Sequence, residues 1–171
     1  DLESERQSLV QKVGENVIIR KKESIGGDNL YSYIHSNGKV GALVSLKDDN
    51  VELGKDIAMH VTASNPKFLS PEDVDSETIE KEKQILKAQV EDTNKPEEII
   101  EKMIEGRLNK FLSEISLLKQ PFVKDPSTSI ENILNDHKNS IVEFTRIEVG
   151  EGIELEQKDF ASEVQAQLQN S

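Results

Sequence analysis

The sequence predicts an α+β protein, in which antiparallel three-stranded sheet structure with flanking helices is interrupted by a projecting antiparallel helical hairpin. Alternating side chains at residues 31–36, an Asn37-Gly38 turn and an apolar run at 40–46 indicate a β-hairpin. Apolar residues at helical spacing fill residues 75–115. A second strand-like run follows at 141–149. Strands and helices are therefore segregated along the chain, which is typical of α+β folds.

Residues 1–13 read as the tail of a helix, because Leu2, Leu9, Val10 and Val13 recur on one side. Gly14 is expected to end this helix. The chain opens on Asp1 in the middle of a helical pattern, so we expect that an N-terminal part normally precedes it.

Residues 14–74 are expected to form the first half of the core. Val17-Ile18-Ile19 is predicted to begin one strand of an antiparallel sheet, with further strands at 31–35 and 40–46. Residues 51–63 are predicted to be a helix that Asn65-Pro66 ends. Ser70-Pro71 then fits the start of a short helix.

Residues 75–116 are predicted to form the helical hairpin, with Asn94-Lys95-Pro96 as the break between its two helices. The first helix is strongly charged and carries a sparse apolar stripe, so it should bury little and project from the core. Gly106 interrupts the second helix at a cost of roughly 1 kcal/mol relative to Ala. A close helix contact at Gly106 would explain that cost.

Residues 117–150 are expected to complete the core and residues 151–171 to form a C-terminal helical module. Thr128 to Glu131 resembles a capping box that opens a short helix reaching about His137. The strand at 141–149 should contain a bulge where its alternation slips. Phe160, Val164 and Leu168 recur at helical spacing and predict a helix at 159–169.

The composition excludes several functional classes. With 33 acidic against 21 basic residues the net charge is −12, which disfavours unspecific nucleic-acid binding because phosphate neutralisation needs clustered cations. There is no cysteine, so disulfides and thiolate metal sites are excluded, and a cytoplasmic location is favoured. No apolar run approaches the roughly 20 residues of a membrane-spanning helix. We expect no membrane and no nucleic-acid partner.

Candidate catalytic and cofactor sites are equally sparse. His35, His60 and His137 do not stand at metal-ligand spacing, so we expect no metal and no cofactor. No phosphate-binding glycine loop occurs, so the chain itself should not bind GTP. No nucleophile and base can be paired from spacing, so an enzyme is not expected. His60 is interpreted as a half-buried structural residue and His137 as a partner of a helix C-terminus.

Several separated motifs, in order along the whole chain, closely resemble elongation factor Ts. They are Val13-Gly14-Glu15-Asn16, Tyr33-Ile34-His35 with Gly38-Lys39-Val40-Gly41, Ile57-Ala58-Met59-His60, Lys102-Met103-Ile104-Glu105-Gly106-Arg107, Gln120-Pro121-Phe122-Val123, Phe144-x-Arg146-x-Glu148-Val149-Gly150, and Asp159-Phe160-Ala161.

The resemblance implies a guanine-nucleotide exchange factor that binds elongation factor Tu, opens its nucleotide site and promotes GDP release without covalent chemistry. It implies contacts with the partner's GTPase domain by Val13, Gly14 and His35 and by a C-terminal helix carrying Phe160 and Val164. Residues 139–150 would face another partner domain.

The resemblance further implies that the hairpin serves self-association as a homodimer, with Ile79, Leu86, Ile100 and Ile104 as its dimerisation residues. The Thr-Asp-Phe motif of the family and its N-terminal three-helix module would precede Asp1. Without them, partner binding should survive while exchange activity falls. The alternative is a structural or oligomerisation module that uses the hairpin as its main interface and binds no GTPase.

Overall fold

The computed structural model describes residues 1–90 and 96–153. The predicted α+β class is confirmed. In chain order the elements are α1 (Leu2–Val13), β1 (Asn29–Ile34), β2 (Val40–Leu46), α2 (Val51–Ser64), a 3₁₀ turn (Pro71–Asp73), α3 (Ser76–Val90), α4 (Glu97–Ile115), a second 3₁₀ turn (Leu117–Lys119), α5 (Ile130–Asp136) and β3 (Ile141–Glu148).

The sheet is antiparallel and has the order β1-β2-β3, so β2 is its central strand. Val44 of β2 stands opposite Tyr31 on one side and Phe144 on the other. The predicted bulge is confirmed, since Ser45 pairs with Glu143 while Leu46 pairs with Ile141. Val142 is therefore the extra residue on β3.

The prediction of a strand at Val17-Ile18-Ile19 is wrong, because the third strand of the sheet is β3. A central strand has only two edges. One edge of β2 is taken by β1 through a tight turn, and the other by β3, which brings the buried Ile141 and the partly buried Phe144 to the core. Local alternation could not reveal this competition, and Ile18 remains 69% exposed.

The core lies between one face of the sheet and α2. Leu53, Ile57 and Val61 of α2 are buried there, as their helical spacing predicts. Gly54 lets the helix approach closely, since a Cβ at this position would lie 2.1 Å from a ring carbon of Tyr31. Tyr31 thus fills the space that a larger residue on α2 would occupy.

The same tyrosine also anchors the start of α2. Its hydroxyl donates to Asp49 Oδ1 at 2.5 Å and accepts from the Asn50 backbone N–H at 2.9 Å. Asn50 is the N-cap of α2, and its side chain accepts from the Leu53 backbone N–H at 3.1 Å. Packing and capping therefore fix the helix against β1 at one point.

The hairpin helices α3 and α4 pack on each other and bury Leu86, Val90 and Leu108. The carbonyl oxygen of Ile115, at the end of α4, accepts from the backbone N–H groups of Lys67 and Phe68 at 2.9 and 3.1 Å. The predicted close helix contact at Gly106 is wrong, because nothing lies within 4 Å of a Cβ placed there. Gly106 instead lies on the exposed side of α4.

The short helix α5 begins one residue later than predicted. Its N-cap is Ser129, whose Oγ accepts from the Asn132 backbone N–H at 3.2 Å, and not Thr128. The fully buried Ile130 sets this register, because it must reach the core in the first turn. Glu131 pairs with Lys119 at 2.7 Å and so closes no capping box with Thr128.

The predicted C-terminal helix, with Phe160 and Val164, lies outside the described residues. The division of the chain into two core halves, a hairpin and a C-terminal module stays a prediction. The strand that follows the hairpin does complete the sheet begun before it.

Two glycine-to-alanine substitutions in helix interiors should have opposite effects on stability. Gly54→Ala must displace the Tyr31 ring, and overpacking of this kind costs about 1–3 kcal/mol. Gly106→Ala meets open space and should stabilise the protein by up to about 1 kcal/mol. Urea unfolding followed by circular dichroism measures both. Equal effects of the two substitutions would contradict the packing of α2 on Tyr31.

Candidate partner-binding surface

Val13 and Gly14 form the exposed end of α1. Gly14 has a φ of +71° and its N–H donates to the Val10 carbonyl at 2.9 Å, which is a left-handed helix cap. Val13 is 53% exposed, and α1 has no buried residue. The helix end thus presents an apolar side chain next to accessible backbone.

Arg6 holds α1 to the segment that follows it. Its guanidinium forms an ion pair with Glu3 at 2.7 Å, and Nη1 donates to the Val17 carbonyl at 2.9 Å. The hydrogen bond from Arg6 lowers the pKa of the Glu3 carboxyl below its usual value. Because the pair is exposed to solvent, we ascribe to it an orienting role.

His35 lies at the turn between β1 and β2 with its side chain exposed. Its backbone N–H donates to the Val40 carbonyl, and its carbonyl accepts from the Gly38 N–H at 2.8 Å. Gly38 has a φ of +66°, and the Asn37 side chain accepts from the Lys39 N–H. The turn is thus held without the imidazole, which is exposed to another molecule and whose ring centroid lies 6.5 Å from that of Tyr33.

The predicted contact residues lie on two elements, the end of α1 and the turn between β1 and β2. No hydrogen bond, ion pair or ring contact within the described residues joins Val13 or Gly14 to His35. The connecting segment 15–28 crosses the region of β3, where Arg20 donates to the Glu151 carbonyl and the Gly26 N–H to the Glu143 carboxylate. Phe160 and Val164 are not among the described residues.

Sequence reasoning missed an apolar surface on the open face of the sheet. Ile34 is 71% exposed there, and Leu43 and Ile147 line a shallow depression of about 220 Å³ beside it. The period-two pattern that places Tyr31 and Tyr33 in the core places Ile34 on the opposite face. This alternation is the sequence signal that could have located the apolar surface.

The predicted dimerisation residues are mostly engaged within the hairpin. Leu86 is buried, and Ile79, Ile100 and Ile104 are half-buried. Ile85 and Ile99 were not predicted, yet they are the exposed large apolar side chains of α3 and α4, at 52% and 47%. They are available to a second copy without unfolding the hairpin.

His60 is fully buried, so its interpretation as half-buried is wrong. Its Nε2 lies 2.9 Å from Gln120 Oε1, and its Nδ1 lies 3.2 Å from the Val123 backbone nitrogen. Burial lowers the pKa of the imidazole. Both ring nitrogens have partners, which is the reason that the residue tolerates complete burial.

The part of the chain that the structure describes contains neither a candidate metal site nor a candidate membrane span. Its residues include no cluster of three or more side chains able to hold a metal ion. No helix there has the length and apolar character needed to span a membrane. His137, at the end of α5, lies 3.5 Å from the Asn50 side-chain nitrogen.

Comparison with known proteins decides the family. The family model described as "Elongation factor TS" matches residues 1–151. The chain belongs to the elongation factor Ts family. Elongation factor Ts of Hahella chejuensis is 50% identical over 167 residues, and that of Azotobacter vinelandii is 52% identical over 170. In both comparisons 98% of this chain is aligned, and it spans 58% of the relative's length.

One of the motifs that resemble elongation factor Ts has a structural role in this chain. In the motif Phe144-x-Arg146-x-Glu148, Arg146 is largely buried and its Nε donates to the Thr62 carbonyl at 3.1 Å. Its Nη2 lies 2.8 Å from the Glu148 carboxylate. The arginine therefore ties β3 to the last turn of α2, where the free carbonyls of a helix favour a cation.

Removal of the His35 side chain should leave the fold intact. We expect His35→Ala to change the free energy of unfolding by no more than about 0.5 kcal/mol, as for other exposed side chains. Gly38→Ala should destabilise by about 1–2 kcal/mol, because its positive φ is strained for alanine. Chemical unfolding of both variants tests this, and a large loss for His35→Ala would show that the ring is structural.

Proposed function

We propose that this elongation factor Ts chain binds elongation factor Tu in the cytoplasm and promotes release of GDP during translation elongation. Its family membership is the observation that carries the proposal. The exposure of Val13, Gly14 and His35 on well-defined turns supports it, since contact residues must be free in the unbound state. The activity of the whole protein is part of the proposal.

The proposed mechanism is a shift of population and involves no covalent step. A factor that binds the open, nucleotide-free partner more tightly than the GDP complex weakens GDP binding by the same coupling free energy. Such a factor needs firm contact points more than reactive groups. The cap at Gly14 and the turn at Gly38 would provide two of them.

Residues 139–150 are proposed to face a second domain of the partner. The stretch contains the solvent-accessible Val142 and Val149, at 59% and 70% exposure. The Val149 N–H donates to the Lys39 carbonyl at 2.7 Å, so this end of β3 lies beside the turn that carries His35. The proposed contact of His35 and the Val149 end of this stretch would then be neighbours at one end of the sheet, while Val142 lies toward the other end, next to the pair of Ile141 and Leu46.

Truncation of the two contact residues should weaken partner binding while folding is retained. We expect Val13→Ala and His35→Ala each to raise the Kd for GDP-loaded elongation factor Tu by about tenfold, which corresponds to about 1.4 kcal/mol. Isothermal calorimetry measures the Kd, and release of labelled GDP in the same sample measures exchange.

Val51→Ala is the matched control, because Val51 is also 53% exposed but starts α2. Binding that is equally affected by all three substitutions would contradict the proposed surface. Binding without accelerated GDP release would assign docking to this chain and exchange to another part of the protein. No binding of the unaltered chain would favour the oligomerisation module.

Self-association through the hairpin is a second proposed property, favoured by the exposure of Ile85 and Ile99. Exposed apolar side chains on a charged helix pair favour association. An antiparallel pairing of two hairpins would cover these two residues. The predicted dimerisation residues would hold α3 and α4 together beneath this interface; they are Ile79, Leu86, Ile100 and Ile104.

The double variant Ile85→Asp/Ile99→Asp should shift a dimer to monomer without loss of helix content. Sedimentation velocity gives the mass, and Ile18→Asp, on the exposed segment far from the hairpin in sequence, is the control. A monomeric unaltered chain at high concentration would remove the proposal of self-association by this chain.

A further inference from the structure

His60 lies at the point where the helical hairpin joins the core. Its own helix, α2, packs on the sheet, while its two ring nitrogens reach residues that follow the end of α4. The connection continues to the hairpin itself, because Gln120 Nε2 donates to the Glu114 carbonyl of α4 at 2.7 Å. One buried side chain therefore links three parts of the molecule.

The donor and the acceptor of each of these three hydrogen bonds can be assigned. The Val123 backbone N–H can only donate, so His60 Nδ1 must be the acceptor and the ring proton must reside on Nε2. Nε2–H then donates to Gln120 Oε1, which leaves the amide nitrogen of Gln120 to donate to Glu114. Only the neutral imidazole with the proton on Nε2 satisfies all three bonds.

We propose that neutral His60 locks the base of the helical hairpin onto the core, and that protonation of His60 releases it. A proton on Nδ1 would oppose the Val123 N–H, leave two donors facing each other and place an uncompensated charge in a fully buried site. The state that accepts the proton is one in which residues 120–123 have moved away from α2. The hairpin then loses the attachment that runs through Gln120 and is held by the backbone bonds between residues 67–69 and 115–118, which leave its orientation less fixed.

Among the described residues, no carboxylate pairs with His60 to stabilise a protonated imidazole. On α2 the nearest carboxylate in the helical repeat is Asp56, which is paired with Lys124 at 2.7 Å. On α4 the Glu114 side chain pairs with Lys110, and from the 120–123 side the closest ring is Phe122, at 6.0 Å. Among the described residues none of these carboxylates forms an ion pair with His60.

The consequence for stability has a definite sign. Burial lowers the pKa of His60 in the folded protein below its ordinary value of 6.5. Between the lowered pKa of the folded protein and the ordinary pKa of the unfolded chain, the unfolded chain binds more protons. The stability contributed by the lock is complete above pH 6.5 and is lost progressively as the pH falls below it. Exposed His35 and His137 do not have this buried network.

Amide hydrogen exchange of the whole chain at pH 7.5 and pH 5.5, corrected for intrinsic exchange, tests the lock. At both pH values Val44 in the central strand should stay better protected than the amides at the base of the hairpin, because its exchange requires opening of the sheet. The amides of Leu117, Gln120, Phe122 and Val123 should lose up to about tenfold of their protection between pH 7.5 and pH 5.5, which is the limit for one histidine that takes up its proton only when the base is open. His60→Gln should abolish this difference. The double variant His35→Gln/His137→Gln, which keeps His60 as the sole histidine, should retain it.

An unchanged pH response in His60→Gln would overturn the proposal, and so would its absence in the double variant. If His60→Gln fails to fold, the double variant still decides. Nitrogen NMR of the imidazole adds an independent readout, since a proton on Nδ1 at pH 7.5 would also overturn the proposal.

The orientation of the hairpin can be followed directly because the chain has no cysteine. Spin labels at Lys87→Cys on α3 and Lys47→Cys beside the sheet, both on exposed positions, report the distance from hairpin to core. The distance distribution should broaden at pH 5.5 only where His60 is present. A distribution that is unchanged by pH would contradict release of the hairpin.

Discussion

The close approach of α2 to Tyr31 is the constraint on which the rest of the structure depends. Only a glycine at position 54 leaves room for the tyrosine ring, and the hydroxyl of that ring then reaches the residues that begin α2. The helix is therefore positioned on β1 by shape and by hydrogen bonds at once. This position decides where both ends of α2 lie, and other elements attach to those ends.

The C-terminal half of α2 carries the attachments of β3 and of the segment that follows the hairpin. Arg146 brings β3 to the Thr62 carbonyl, and His60, two residues earlier in α2, binds the segment after α4. Both contacts join residues that are distant in sequence, and both use side chains that are largely or fully buried. Such polar contacts specify one arrangement, because an alternative packing would leave a buried donor or acceptor without a partner.

Local sequence patterns were sufficient for the elements that local physics determines. The Asn37-Gly38 turn, the α2 face with Leu53, Ile57 and Val61, and the break after Asn65 all follow from spacing and backbone preference. The strand assigned to residues 17–19 failed because strand partners are chosen over long range, and β3 occupies the edge that remained on β2. The complete burial of His60 cannot be predicted from α2 alone for a related reason, since its partners Gln120 and Val123 follow the hairpin in sequence.

The candidate site shows the same division between local and long-range information. The cap at Gly14 and the turn at His35 are local, but the exposed face with Ile34, Leu43 and Ile147 exists only after three strands have paired. The placement of the proposed contact residues on separate elements affects how exchange would work. A hundredfold weakening of nucleotide binding requires a coupling free energy of about 2.7 kcal/mol, and a single exposed side chain rarely supplies more than about 1–2 kcal/mol. The contacts proposed at Val13 and His35 would therefore have to act together, and they could do so only if the distance between them were fixed. Arg6, the segment 15–28 and the backbone bonds of the β1–β2 turn connect them through ordered structure, so rigidity between the contact points is itself a requirement of the proposed mechanism.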